Sequence, residues 1–282
     1  MEWLTILKAV VLGVIQGVTE YLPISSTAHL VLCNDLINAR EPYWKVFDVF
    51  VQFGSIMAVL WAYWGRVWKR TSGLVTGDRT AWRFWINLGI AFMPAAVIGL
   101  AVHGLIKKYL HDYSQPSALW TIAGMLILGA FAIFEVERWY KRRQDRAPDT
   151  FTREVEDMSP LQALAVGVAQ VLALLPGTSR SGATIVGGLL AGLSRPAATE
   201  FTFFLAMPTL GAACLYDLYK GRADISSANL LPFAAGFVVS FLVSLVAVKW
   251  LLRFVSTHNL NPFAWYRIGL GLIVIAWILL AQ

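Results

Sequence analysis

Six long apolar runs constrain this chain more than anything else in it: Phe47–Trp64, Trp85–Ile106, Ala118–Phe134, Phe201–Tyr216, Leu230–Leu252 and Phe263–Leu280. A hydrocarbon core about 30 Å thick takes roughly 20 apolar residues to cross as a helix. No water is available there, so each run must bond its own backbone, which selects helices. Composition agrees: of 282 residues, 57% are hydrophobic and 14% charged, where soluble domains carry about 25% charged residues. Mean hydropathy is +0.61. A disordered chain, a disulfide scaffold, a coiled coil and an ordinary soluble enzyme are excluded. Trp61, Tyr63, Trp64, Trp82, Trp85, Trp139, Tyr140, Tyr216 and Tyr219 crowd the ends of the runs. They form the aromatic belt expected at a membrane interface.

The net charge is +6. Its basic residues lie mostly in short loops between apolar runs, which is the positive-inside pattern of membrane proteins, not a nucleic-acid surface. Cys33 and Cys214 lie in apolar segments without metal-ligand spacing and read as buried thiols, one disulfide staying open. Met-Glu-Trp opens the chain without a basic stretch, so no cleaved signal peptide is expected.

Two regions are apolar but interrupted. Leu161–Leu175 leads into Pro176-Gly177-Thr178-Ser179-Arg180-Ser181-Gly182, and a short apolar arm then runs to Leu193. At 1.5 Å per residue that arm covers roughly 16 Å, about half the hydrocarbon thickness. Leu4–Leu22 likewise meets Pro23-Ile24-Ser25-Ser26-Thr27 before a short arm to Ile37. A polar break at membrane depth must be buried in protein or line a wet cavity, so both regions read as re-entrant helical hairpins. The two also align. Gly13-Val14-Ile15-Gln16 matches Gly167-Val168-Ala169-Gln170, Leu22–Ser26 matches Leu175–Ser179, and Pro116 and Ala118 match Pro262 and Ala264.

The fold class expected is therefore all-α: a polytopic integral membrane protein built as an inverted-topology repeat. Residues 1–135 form the first repeat, with a re-entrant hairpin at about 4–37 and three spans. Residues 136–160 form a charged cytoplasmic linker. Residues 161–282 form the second repeat, with a hairpin at about 161–193 and three spans. Three spans per half invert the second half, and sites of such proteins lie near midplane on broken helices. The bases of 65–83 and 136–160 outnumber Lys107, Lys108, Lys220 and Arg222 on the other side, so the first group is expected in the cytoplasm.

The chemistry-bearing residues gather at the two breaks. Gln16 and Glu20, four apart, share one helix face. An acid at membrane depth is a functional candidate by default. Ser25, Ser26, Thr27 and His29 follow within the same bend. Helix capping would account for one hydroxyl, but not for Glu20 and His29 together. The second break holds Thr178, Ser179, Arg180, Ser181, Gly182 and Thr184, with a helix start near Ser181 whose free N–H groups suit an anion. Arg180 needs a partner there: bound phosphate, or Glu20 across the repeat interface. One tip thus offers a nucleophile and base and the other an anion holder, a pairing that suits phosphoryl transfer. Gln16 and Glu20 could also hold a hard divalent cation, since Mg²⁺ often takes one or two protein ligands plus phosphate oxygens. Glu200 and Asp48 start spans and read as either supporting groups or interface charges. Arg267 lies inside the last run and needs a partner or cavity. His103, His111 and His258 read as solvated.

The stretch Gln16–His29 resembles the first signature of the bacterial undecaprenyl pyrophosphate phosphatases of the bacitracin-resistance type, and Pro176–Thr184 resembles the second. The resemblance covers nearly the whole chain, including Ser194-Arg195 and Glu200–Phe203. The first signature carries Glu or Gln four residues before its Glu, here Gln16 and Glu20, and the neutral Gln16 leaves one charge fewer for a metal. Ala28 stands where a glycine is usual. The resemblance implies a multi-pass inner-membrane enzyme that removes one phosphate from undecaprenyl pyrophosphate and regenerates the lipid carrier of peptidoglycan synthesis. It implies a site facing the periplasm and dependence on Mg²⁺ or Ca²⁺. The expected roles are Ser26 as nucleophile, His29 as its base or the leaving-group acid, and Glu20 with Gln16 as metal ligand or orienter. Arg180, Ser179, Ser181 and Thr184 hold the pyrophosphate, with Ser25, Thr27, Thr178 and Gly182 beside them. Water activated by Glu20 is the alternative route. The expected partners are the polyprenyl pyrophosphate and the bilayer, with no nucleic acid; homodimerisation stays open. The rival reading is a flippase of a polyprenyl phosphate, which needs anion ligands but no nucleophile and base.

Overall fold

The computed structural model describes residues 2–39, 41–109, 116–222 and 230–280. Among them everything regular is helical, and the one β-bridge pairs Thr152 with Leu193. Among the described residues six helices are long and apolar enough to cross a membrane: α3 (Pro42–Ala62), α5 (Arg79–Tyr109), α6 (Pro116–Arg146), α9 (Arg195–Gly221), α10 (Leu230–Thr257) and α11 (Asn261–Leu280). They coincide with the six apolar runs and begin at or before the start of each, though α3 stops at Ala62, short of Trp64. Hydropathy marks the part inside lipid. The backbone ladder continues outward through polar residues, as where Ser194, seven residues before Phe201, caps α9 by accepting from the Ala197 N–H.

The remaining helices are shorter. α1 (Glu2–Thr19) and α2 (Ser26–Leu36) form one helical hairpin, and α7 (Pro160–Val171) and α8 (Arg180–Leu190) form another. Ser159 and Gln162 close a capping box at the start of α7. α4 (Trp64–Val75) lies where the sequence reads as a loop. Its charges at 66, 69 and 70 face one way, and Trp64 stacks on Trp68 one turn later, 6.1 Å between ring centroids. That spacing makes an amphipathic helix that a hydropathy window does not register.

α1 packs on α10, α7 on α5, α3 on α9 and α6 on α11. The α1–α10 approach is close enough to require glycine: a Cβ on Gly13 would sit 2.6 Å from the Gly236 carbonyl oxygen. Leu100, Leu128, Val238 and Val246 are exposed, while Gln16, Glu20, Ser55, Asn87, Thr202, Ser240, Ser244 and Arg267 are buried. Apolar outside and selectively polar inside is the arrangement of a helical bundle in lipid. Polar bonds tie the interior together: Ser55 Oγ meets Ser240 Oγ at 2.8 Å, and Ser244 Oγ donates to the Gly17 carbonyl at 3.2 Å.

The charged linker is docked rather than loose. Glu156 accepts from Arg66 (2.8 Å) and Arg70 (2.9 Å), and Arg83 and Asn87 donate to the Met158 carbonyl. Glu200 pairs with Arg66, which makes it part of this network. Arg195 pairs with buried Glu137, which also accepts from the Leu260 N–H at 2.9 Å. Asp48 accepts from Asn34 Nδ2 at 2.7 Å. Cys33 and Cys214 are both free thiols. His258 stacks on Phe254 at an exposed helix end. His111 and the side chains of His103, Lys107 and Lys108 lie outside the described residues.

Candidate active site

The two hairpin turns meet in the interior. Each ends in a serine with positive φ that caps the following helix. Ser25 (φ 72°) accepts from the Ala28 N–H, and Ser179 (φ 69°) accepts from the Gly182 N–H at 3.1 Å. Left-handed backbone is costly for a non-glycine residue, so the surroundings must over-determine both turns. Two contacts do so. Ser181 Oγ on the second turn donates to the Leu22 carbonyl of the first at 2.8 Å. Arg267, 1% exposed, spreads its guanidinium over five carbonyls. Those of Pro23 (3.2 Å), Thr178 (2.9 Å) and Gly177 (3.2 Å) belong to the two turns. Those of Leu126 (3.1 Å) and Met125 (2.8 Å) belong to α6. The partner that Arg267 needs inside a span is thus the backbone of both turns. Its place in an apolar run was the only sequence signal, and that signal did not say what it binds.

Glu20, 5% exposed, is the centre of the site. Its Oε2 accepts from Gln16 Nε2 and from Ser26 Oγ, each at 2.9 Å. Its Oε1 accepts from Arg180 Nη2 at 3.2 Å. Arg180 also donates to the Thr202 carbonyl at 2.9 Å and lies over the Tyr21 ring at 5.7 Å. Tyr21 is held in turn by the Ser55 carbonyl, 2.8 Å from its hydroxyl. Thr184 Oγ1 donates to the Arg180 carbonyl and accepts from Thr202 Oγ1, which fixes the first turn of α8. Thr202 is a supporting residue that sequence reasoning did not single out. Ser179 and Ser181 hydroxyls are 3.0 Å apart. Thr27 is half-buried in the first turn of α2. Two buried donors at the junction, Arg180 Nε and Thr178 Oγ1, have no partner among the described residues.

His29 sits apart from this centre. Its Nδ1 is 2.7 Å from the Ser25 carbonyl, and its Nε2 is 2.7 Å from the Tyr266 hydroxyl. The Ser26 hydroxyl bonds to Glu20 and not to the imidazole. Glu20 is thus the group bonded to the Ser26 hydroxyl here, while His29, expected as its base or as the leaving-group acid, is bonded to Ser25 and Tyr266.

The formal charge at the junction is one carboxylate against two guanidiniums, an excess that favours a polyanion. Among the described residues no group of three His, Cys, Asp or Glu that could hold a metal occurs. Glu20, the Gln16 amide oxygen and the serine hydroxyls form an all-oxygen donor set. It fits a hard divalent cation only when phosphate oxygens complete the shell.

Fold and site together define a multi-pass helical membrane protein whose interior brings Ser26, Glu20 and Arg180 into one hydrogen-bonded cluster. Residues 9–273 match the model of the family described as bacitracin resistance protein BacA, and the chain belongs to that family. Its relatives include proteins named undecaprenyl-diphosphatase. That of Dechloromonas aromatica is 47% identical over 276 residues, 98% of this chain and 96% of the relative. That of Nitrosospira multiformis is 49% identical over 276 residues, again 98% and 96%. That of Bordetella pertussis is 46% identical over 285 residues, 98% and 97%.

Proposed function

We propose that this chain is a membrane-embedded phosphatase that hydrolyses undecaprenyl pyrophosphate to undecaprenyl phosphate and inorganic phosphate. Full-length similarity to proteins named for that activity supports the reading. The observation that carries it is the Ser26–Glu20–Arg180 geometry. A hydroxyl donates to a carboxylate whose other oxygen faces a guanidinium with a donor to spare. A flippase needs the anion holder but not the activated hydroxyl.

The step assigned to these residues is nucleophilic. Ser26 Oγ attacks the terminal phosphorus as its proton passes to Glu20, and the bond to the bridging oxygen breaks, releasing the lipid phosphate. Water then attacks the phosphoserine, frees inorganic phosphate and restores the hydroxyl. Arg180 leaves Glu20 as phosphate arrives and binds its oxygens, where an arginine fork is strongest. Mg²⁺ or Ca²⁺ would be held by Glu20 and Gln16 and would supply charge neutralisation of the pyrophosphate.

The inverted repeat, the re-entrant hairpins, the inner-membrane location and an outward-facing site belong to the same proposal. The matched hairpin pairs and positive-φ serines support the repeat.

The test is phosphate release from a polyprenyl pyrophosphate by purified protein in detergent, with Mg²⁺, with Ca²⁺ and with chelator. Ser26→Ala is expected to lose about a thousandfold or more in kcat, Arg180→Ala comparably, and the chelator to abolish release. Acid-quenched reactions should contain phosphoserine at Ser26. Unphosphorylated Ser26 with full turnover would assign the attack to water, and substrate binding without release would turn the reading to a flippase.

A further inference from the structure

The geometry points to Tyr266 as a positioning residue of this site, one that holds His29 in a single tautomer and ring orientation. The inference rests on the phosphatase reading for its kinetic part and on hydrogen-bond chemistry for the rest. A backbone carbonyl only accepts, so the 2.7 Å contact between Nδ1 and the Ser25 oxygen requires the proton on Nδ1. In the neutral ring Nε2 is then an acceptor, and the Tyr266 hydroxyl donates to it at 2.7 Å. The two rings also stack, 5.6 Å between centroids and 10° from parallel. The imidazole is thereby fixed along both axes, one nitrogen on the strained serine beside Ser26 and the other under α11.

Tyr266 is itself held in register by its neighbour. Arg267 is bonded to both hairpin turns, so α11 can neither slide nor rotate without breaking those contacts. The next residue back on the helix then presents its ring to α2 at a fixed height. Tyr266 is 49% exposed, so the pair lies at the rim and not in the core. Every proton that enters or leaves His29 at Nε2 must displace or pass the Tyr266 hydroxyl.

Tyr266→Phe keeps the ring and removes the hydroxyl. In ¹⁵N-histidine-labelled protein the wild-type His29 signal is expected to show the Nδ1–H tautomer with a hydrogen-bonded Nε2. In the variant the Nε2 resonance moves to its unbonded position while the thermal midpoint stays near wild type. Unchanged His29 resonances would overturn the proposal, whatever the protein's activity. With His29 as the acid that protonates the leaving lipid phosphate, a role worth about 10²–10⁴-fold, the variant gives up part of that: kcat falls about tenfold with KM little changed. Applied to His29→Ala, the same change should cost nothing further; an equal second loss would also overturn the proposal. If wild-type protein releases no phosphate, the functional reading fails and the resonance comparison still decides this one. Should Tyr266→Phe not fold, Tyr266→Leu, which has no hydrogen-bond donor, makes the same resonance comparison.

Discussion

Five carbonyls converge on the guanidinium of Arg267, and the space for it depends on a missing side chain. A Cβ on Gly129 would lie 2.1 Å from Nη2 and 2.7 Å from Cζ. The guanidinium cannot yield cheaply, because moving it strips donors from both hairpin turns at once. Each buried acceptor left bare costs about 1–3 kcal/mol. Gly129→Ala is therefore expected to destabilise by on the order of 3 kcal/mol and to depress phosphate release. Gly124→Ala on the same helix, with nothing within 4 Å of its Cβ, should hold or slightly raise stability. Thermal unfolding of the two variants side by side checks this, and equal midpoints would show that Arg267 is not the clamp. The same residues show what sequence can reveal. Glu20, Ser26 and Arg180 are legible because polar groups inside apolar segments stand out. Tyr266 is not legible, because a tyrosine near a span end looks like one more belt residue. Its meaning comes from a ring 237 positions away in the chain.

Elements follow a similar division. The six spans are readable because lipid imposes a minimum length on apolar runs. Their ends are less readable, since Arg195 or Arg146 continues a helix beyond the hydrocarbon. α4 and the docked linker escape hydropathy, because charge pairing and a few separate buried side chains such as Val155 and Met158 hold them, not a long apolar run. Glu156 shows how. Partial burial acts to raise its pKa, but hydrogen bonds from Arg66 and Arg70 outweigh that and bring it below the ordinary glutamate value of 4.5. A carboxylate depressed in the fold contributes stability above its unfolded pKa and loses it as pH falls through the folded one. Glu156→Gln should therefore lower the thermal midpoint at pH 7, with the gap to wild type closing below about pH 4.5. A gap that persists unchanged at low pH would mean that the carboxylate's charge is not what docks the linker on α4.

The site's depth and sidedness are properties of the whole molecule. Arg267 is six residues into α11, about 9 Å along the axis from its start. Both hairpin turns reach that one guanidinium. If the hairpins enter from opposite faces, as the proposed inversion requires, neither turn can be at an aqueous surface, and the site lies where the halves meet. Periodicity cannot supply this, because parity depends on which arms cross and which return. The proposed orientation puts α4 and the linker in the cytoplasm and the end of α9 outside. Thr76, Asp145 and Arg222 are exposed and sample these three places. Single cysteines there, in a background with Cys33 and Cys214 replaced by alanine, should divide accordingly. Residue 222 should react with a membrane-impermeant maleimide in intact spheroplasts, and residues 76 and 145 only after permeabilisation. The reverse pattern would invert the molecule and turn the site to the cytoplasm. Labelling of all three from outside would deny the odd crossing between the linker and the end of α9, and with it the inverted repeat.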